Sequence, residues 1–236
     1  MKILISNDDG IDAPGLRLLA DTARKHGEVW IVAPDGQRSA MSHCFTFNKP
    51  VLVKDYDFQM EGVKAYTCSG TPADCVRIGI IKLLPEKPDF VFAGINSGFN
   101  MSWDIQYSGT LGAAMEGIFY GVQSIAFSQG NPDNSEVVKR YIDELMVECM
   151  SKPLGAGKVW NINFPDCKLE ECKGVLRDRA VSTDDFYHDD YDIETIEDGV
   201  RSFMISVHRK WEATEGTDLA AIIDNYVSVG IVSNIG

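Results

Sequence analysis

Two consecutive carboxylates, Asp8 and Asp9, follow the apolar run Lys2-Ile3-Leu4-Ile5-Ser6 with Asn7 between, and lead into Gly10. Like charges on neighbouring residues at the end of a buried strand repel, and a cation between them relieves that cost most simply. Mg2+ and Mn2+ take oxygen ligands in near-octahedral geometry and keep several waters. Asp8 and Asp9, joined by a hydroxyl and a side-chain amide, would therefore hold such an ion and leave positions for a phosphate. A tight turn capped by one of the aspartates uses the same residues, and spacing alone leaves both readings open.

Other oxygen- and nitrogen-bearing groups fall after later apolar runs. Pro34-Asp35-Gly36-Gln37-Arg38-Ser39 follows Val29–Ala33, and Asn96-Ser97-Gly98-Phe99-Asn100 follows Asp89–Ile95. Ser108-Gly109-Thr110-Leu111-Gly112 brings hydroxyls and closely approachable N–H groups to a helix start, where a phosphate is readily seated. The same residues also suit a serine N-cap on a helix packed tightly through small residues. His43 lies nearest in sequence to the proposed site; it would suit proton donation to a leaving oxygen, and equally a hydrogen-bonded structural role. Neither the Walker phosphate-loop spacing nor a G-x-G-x-x-G after the first strand is present, which removes support for triphosphate switching and dinucleotide redox chemistry.

These groups need a scaffold that gathers loop ends. Lys2–Ser6 reads as a buried strand, Pro14–Lys25 as a helix with proline at its first position and Gly27 at its exit, and Val29–Ala33 as a second strand. Such a β-α-β unit takes the right-handed parallel crossover. An apolar-polar stretch covers 46–53, and Thr71-Pro72-Ala73-Asp74 has the form of a capping box opening a helix to about Leu84. Strands at 89–95, 124–127 and 159–162 alternate with helices from Ser108 and over Glu136–Met150. The alternation predicts an α/β doubly wound, mostly parallel sheet, in which ligands bind beyond the strands' carboxyl ends.

Beyond Pro165 the pattern weakens. Strands at 175–181 and 202–208 flank an acidic stretch (Asp184, Asp185, Asp189, Asp190, Asp192, Glu194, Glu197, Asp198) that reads as a solvated loop or hairpin. A helix over 217–224 and a strand over 226–229 follow. The expected organisation is one domain over 1–236, with a core at 1–165 and an extension at 166–236.

The 236 residues carry 22 Lys+Arg against 35 Asp+Glu, a net charge of −13 that disfavours duplex nucleic acid and anionic membranes as partners. Hydrophobic residues at 44% supply a core. The opening segment turns polar too soon for a signal peptide, no stretch approaches a membrane span, and six cysteines without a C-x-x-C pair read as reduced thiols. A cytoplasmic location is expected.

Taken together, Ile3 to Gly10 with Ala13-Pro14-Gly15, Gln37-Arg38-Ser39, Ser69 to Val76, Gly94 to Asn100, Tyr107 to Gly117, Asn161 to Pro165 and Glu215-Gly216-Thr217-Asp218 resemble the SurE (survival protein E) nucleotidases along nearly the whole chain. The resemblance implies a Rossmann-like core and a metal-dependent phosphomonoesterase acting on nucleoside 5′- and 3′-monophosphates, with short polyphosphate as a further substrate. It implies one divalent ion per subunit, Mg2+ or Mn2+, on Asp8, Asp9, Ser39 and Asn96. Catalytic roles are expected at Asp8, Asp9 and His43, and substrate contacts at Asn7, Asn100, Ser108, Gly109 and Thr110. A homodimer or homotetramer that exchanges a C-terminal segment is also implied; the alternative is a non-catalytic nucleotide-binding module on the same fold.

The chain departs from the family pattern at Met101-Ser102-Trp103, where a further glycine is usual, and at Arg38–His43, which lacks a common glycine. The acidic stretch replaces a proline-arginine-glycine-aromatic segment, and Val227–Ile231 replaces a Thr-Pro-Leu strand.

Overall fold

The computed structural model describes residues 1–195 and 199–233, apart from the side chain of His188. Its main sheet has nine strands: β1 (Lys2–Ser6), β2 (Glu28–Pro34), β3 (Val53–Tyr56), β4 (Val63–Cys68), β5 (Phe90–Ser97), β6 (Gln123–Gln129), β7 (Lys158–Phe164), β8 (Val175–Arg179) and β11 (Val227–Ser233). They lie in the order β3-β4-β2-β1-β5-β6-β7-β11-β8. The run β4-β2-β1-β5-β6-β7 is parallel throughout. This is the doubly wound order of two mononucleotide-binding halves, whose direction of winding reverses between the first and fourth parallel strands. Here those strands are β1 and β5, so the loop after β1 that carries Asp8 and the end of β5 that carries Asn96 open on the same crevice.

Side-chain alternation along the central strands builds both layers. In β1, Ile3 and Ile5 point to the face covered by α1 (Pro14–Ala23) and α4 (Glu136–Ser151), while Leu4 points to the face of α2 (Pro72–Ile78) and α3 (Gly109–Phe119). In β2, Val29 and Ile31 face one way and Trp30 and Val32 the other. Burial on two faces is why these strands read as unbroken apolar runs. Helix starts obey the expected chemistry: Pro14 opens α1, Ser108 caps α3, and Thr71 with Asp74 forms a reciprocal capping box on α2. The expected helix to Leu84 is continuous, but its last part widens into a π-helical turn over Gly79–Leu83.

The sequence reading left two stretches without a definite element. Residues 46–52 form no regular element; the edge of the sheet is instead the antiparallel pair β3 and β4, with β4 running parallel to β2. The acidic stretch enters a hairpin, β9 (Tyr187–Thr195) with β10 (Arg201–Arg209), separate from the main sheet. Glu197 and Asp198 lie outside the described residues. Tyr191, Ile193, Phe203, Ile205 and Val207 share one exposed face of this hairpin. Among the described residues no helix is long and apolar enough to cross a membrane.

The extension returns to the core through β11, which inserts antiparallel beside β7 and parallel to β8. The short helix α5 (Asp218–Ile223) and Phe186 add a third apolar cluster, with Leu219 and Ile222 packed on Phe99 and Met101.

Candidate active site at the strand switch

Asp8 ends the first strand's run with its side chain almost fully buried, at 4% exposure. Its Oδ1 accepts a 2.5 Å hydrogen bond from the hydroxyl of Thr110 in the first turn of α3. Gly109 is required beside it: a Cβ there would lie 2.9 Å from the Cβ of Asp8 and 3.0 Å from its Oδ2. Asp9 is half-buried and points toward β5, where its Oδ2 accepts from the backbone N–H of Ser97 at 2.9 Å. One oxygen of each carboxylate is thereby fixed, and the second is left for another partner.

The turn holding both aspartates is braced from within. Asn7 is fully buried and pairs with Gly10 in both directions, its amide donating to the carbonyl (2.8 Å) and its oxygen accepting from the N–H (3.2 Å). Gly10 has φ +100°, and a Cβ on it would lie 3.1–3.4 Å from the Gly36 backbone, so glycine alone suits the position. The Arg38 N–H binds the Asp8 carbonyl at 2.7 Å, which fixes the loop bearing Ser39 against the pair.

Electrostatics at the pair is unfavourable for the protein alone. Burial pushes the Asp8 carboxyl up to about 6; the Thr110 bond opposes this and the charge of Asp9 adds to it. Asp9 is raised as well, by burial, against the pull of the Ser97 bond. Among the described residues no basic side chain offsets either group. Arg38, whose loop is tied to the Asp8 carbonyl, turns its guanidinium to Asp35 at 2.7 Å. Among the described residues no three His, Cys, Asp or Glu side chains converge. A cation here would depend on two carboxylates completed by neutral oxygens, which is the donor set of a hard, partly hydrated dication.

The remaining candidates lie on the segments next to the pair in the fold, at different depths. Ser108 caps α3, its Oγ accepting from Leu111 N at 3.0 Å. Asn96 sits near the end of β5, with Nδ2 donating to the Gly98 carbonyl at 2.9 Å. Asn100 is buried deeper: Nδ2 donates to Ser128 Oγ at 2.7 Å, and its backbone is held by Asn161 and Asn163. Ser39 is exposed on the rim, accepting from Gln37 Nε2 at 3.1 Å. A cleft of about 270 Å3, bounded by Asp9, Gln37, Ile95, Ser97 and Pro132, opens beside the pair.

His43 lines a small cavity with Ser108 and Gly112 beside the first turns of α3. Its Nε2 lies 2.8 Å from Glu116 Oε2, and its ring packs 5.0 Å from that of Phe119. Glu116 is seven residues beyond Gly109 on α3, which is about 10 Å further along the helix axis. The imidazole is held by Glu116, with Arg77 as the second partner of that carboxylate at 2.7 Å. The residues whose positions the sequence did not announce are Ser97, which acts through its backbone, and Glu116, a charged position inside an otherwise small and apolar helix. That exceptional charge was the available signal for Glu116, whereas the N–H of Ser97 left none.

Similarity to known proteins agrees with this geometry. The family described as "Survival protein SurE" matches residues 3–185. A protein named 5′-nucleotidase SurE from Clostridium botulinum is 36% identical over 233 residues, covering 97% of this chain and 91% of that protein. One of the same name from Thermoanaerobacter pseudethanolicus is 35% identical over 233 residues, covering 97% and 90%. The crystal structure of the SurE protein from Aquifex aeolicus superposes with a TM-score of 0.82 at 33% identity, covering 99% of this chain and 93% of that one. A buried acidic pair at the switch of a doubly wound sheet, a small-residue helix start against it and this extent of likeness lead to one conclusion: the chain belongs to the SurE family.

Proposed function

We propose that this protein is a divalent-metal-dependent phosphohydrolase that releases phosphate from nucleoside 5′-monophosphates, and also from 3′-monophosphates and short polyphosphate. The observation that carries the reading is the buried, uncompensated pair Asp8 and Asp9 at the strand switch, with one oxygen of each held by Thr110 and Ser97. The relatives' name, 5′-nucleotidase SurE, supplies the substrate class.

In this reading Asp8 and Asp9, with Ser39 on the rim and Asn96 near the end of β5, hold one Mg2+ or Mn2+. Such an ion polarises a phosphate oxygen and offsets charge that develops on phosphorus. The chain's own groups do the rest. The first N–H groups of α3 lack partners inside the helix, and with the hydroxyl of Ser108 they receive the other phosphate oxygens at the positive end of the helix dipole. Thr110 keeps Asp8 in one rotamer, so attack on phosphorus by Asp8, or by a water that it orients, starts from a fixed geometry. Asn7 holds the turn from behind, and Asn100 anchors the facing loop to Ser128 and Asn163.

Residues 1–165 carry this chemistry, while residues 166–236 make the contacts of a homodimer or homotetramer in the cytoplasm. The exposed apolar face of the β9–β10 hairpin supports such contacts. Phosphate release from AMP, measured in metal-stripped protein and after adding back Mn2+ or Mg2+, tests the activity. Release that depends on the added ion and is abolished by EDTA is expected. Metal-independent turnover refutes the ion's role, and nucleotide binding with no turnover under any ion returns the chain to a non-catalytic module.

A further inference from the structure

The segment that follows β5 touches the aspartate pair at one end and the C-terminal extension at the other. At its start the N–H of Ser97 binds Asp9. Gly98 N–H then bonds to the Gln129 carbonyl at 2.8 Å. Asn100 is fixed on three sides: its N–H donates to Asn163 Oδ1 at 2.8 Å, and its carbonyl accepts from Asn161 Nδ2 at 2.8 Å and Asn163 Nδ2 at 3.0 Å. At its end Ser102 is fully buried with φ +56°, a conformation costly for any residue with a Cβ.

Residues from the extension hold that end. Asp218, at the first position of α5, is 4% exposed; its Oδ2 accepts from Ser102 N–H at 3.2 Å, and its Oδ1 accepts from Ser182 N–H at 2.9 Å and Leu219 N–H at 2.8 Å. The hydroxyl of Ser102 donates to the Asp184 carbonyl. Phe99, between Gly98 and Asn100, packs edge-on against Phe186 at 6.0 Å between ring centres, in the cluster that Leu219 and Ile222 complete. Phe186 is itself buried, just before the β9–β10 hairpin. A charged carboxylate spent on three backbone N–H groups, and an aromatic pair across the same segment, are more than a surface connection needs.

We propose that Asp218 is a positioning residue for the aspartate site: together with Phe186 it clamps residues 97–102 so that Ser97 meets Asp9 and Asn96 and Asn100 face the crevice. The inference rests on the function proposed above for that crevice. The clamp makes the extension part of the site although no described residue of it reaches the aspartates. Both oxygens of the Asp218 side chain accept at once. An asparagine there keeps one acceptor but turns an N–H toward the N–H of Ser102, opening the clamp with little change in volume.

Asp218→Asn tests the clamp by three measurements on the full-length protein: hydrogen exchange of the amides in 97–102, Mn2+ affinity by direct titration, and steady-state hydrolysis of AMP. Exchange in 97–102 should accelerate about tenfold while the central strands stay protected. The Mn2+ dissociation constant should rise by about tenfold, and kcat should fall by a similar factor with KM less affected, as for removal of a group that orients metal ligands. A variant that loses thermal stability but keeps wild-type exchange in 97–102, Mn2+ affinity and kcat overturns the proposal, since Asp218 would then be only structural. If Asp218→Asn does not fold, Phe186→Leu releases the other half of the clamp; the same losses are then expected, and wild-type values of all three overturn the proposal. A wild-type protein that neither binds Mn2+ nor hydrolyses AMP refutes the proposed function instead, and the exchange of 97–102 still decides whether the clamp exists.

Discussion

Asp8 and Glu116 are two buried carboxylates set against the same helix about two turns apart, and the protein treats them in opposite ways. Glu116, 1% exposed, is bonded to Arg77 at 2.7 Å and His43 at 2.8 Å. Burial alone would raise its carboxyl, but those two bonds and their charges hold it below the ordinary glutamate value. Asp8, 4% exposed, has a hydroxyl and another carboxylate for company and is pushed up to about 6. A fold able to supply two bases to the acid in the body of α3 supplies none to the acid at its start. The uncompensated pair is where the function proposed above seats its cation, while the Glu116 carboxylate is neutralised by the protein's own bases.

The sharpest way to break this contrast is Asp8→Asn. Phosphate release from AMP should fall by at least about a thousandfold. Without added ions the variant should melt no lower than the wild type, because a charge the fold cannot neutralise has gone. Added Mn2+ should raise the melting temperature of the wild type alone. The pH dependence sharpens the same point. Because the folded Asp8 carboxyl lies above its unfolded value of 3.8, the ion-free protein binds a proton more tightly when folded, and this group adds stability as pH falls through about 6. Urea melts between pH 4 and 7 should show that gain in the wild type and its absence in Asp8→Asn.

Glu116→Gln should give the opposite pattern. Its loss leaves Arg77 and His43 without their acid and should lower stability at pH 7 by about 1–3 kcal/mol in urea melts, with turnover of the folded protein retained. The Glu116 carboxyl lies below its unfolded value of 4.5, so its contribution is present above that pH and disappears as the pH drops further. The difference between variant and wild type should accordingly narrow below pH 4.5. The smallest effect is expected at His43. His43→Gln should leave kcat for AMP within about threefold, whereas a general acid lost at this position would lower it by about 100-fold or more.

Much of the scaffold was legible because its signals are local. Buried runs such as Ile3-Leu4-Ile5, the proline at 14 and the Thr71–Asp74 capping box each specify an element within a few residues, and their alternation specifies the doubly wound sheet. Asp8 and Asp9 stood out because two adjacent acids after a buried strand already pose an electrostatic problem. Strand β4, next to the edge, was not legible: Val63-Lys64-Ala65-Tyr66-Thr67-Cys68 mixes polar and apolar residues and becomes a strand by pairing with β2, whose residues lie more than thirty positions earlier. The partner of His43 was not legible for a related reason. Closeness in sequence to Ser39 suggested closeness to the aspartates, while a partner 73 residues away set where the ring points. The Ser97 bond to Asp9 joins backbone to side chain across 88 residues, and no residue type announces it.

The place of β11 in the sheet bears on how this protein is made. Among the described strands β8 pairs with β11 alone, and β11 follows both the hairpin and α5 in the chain. On the ribosome, β1 through β7 can assemble while β8 waits with an open edge for a neighbour not yet translated. Asp218, just ahead of β11, arrives equally late, so the nascent protein has its acidic pair in place well before the segment facing it is secured. A chain stalled before this stretch would hold a nearly finished core whose segment 97–102 lacks the proposed Asp218 clamp.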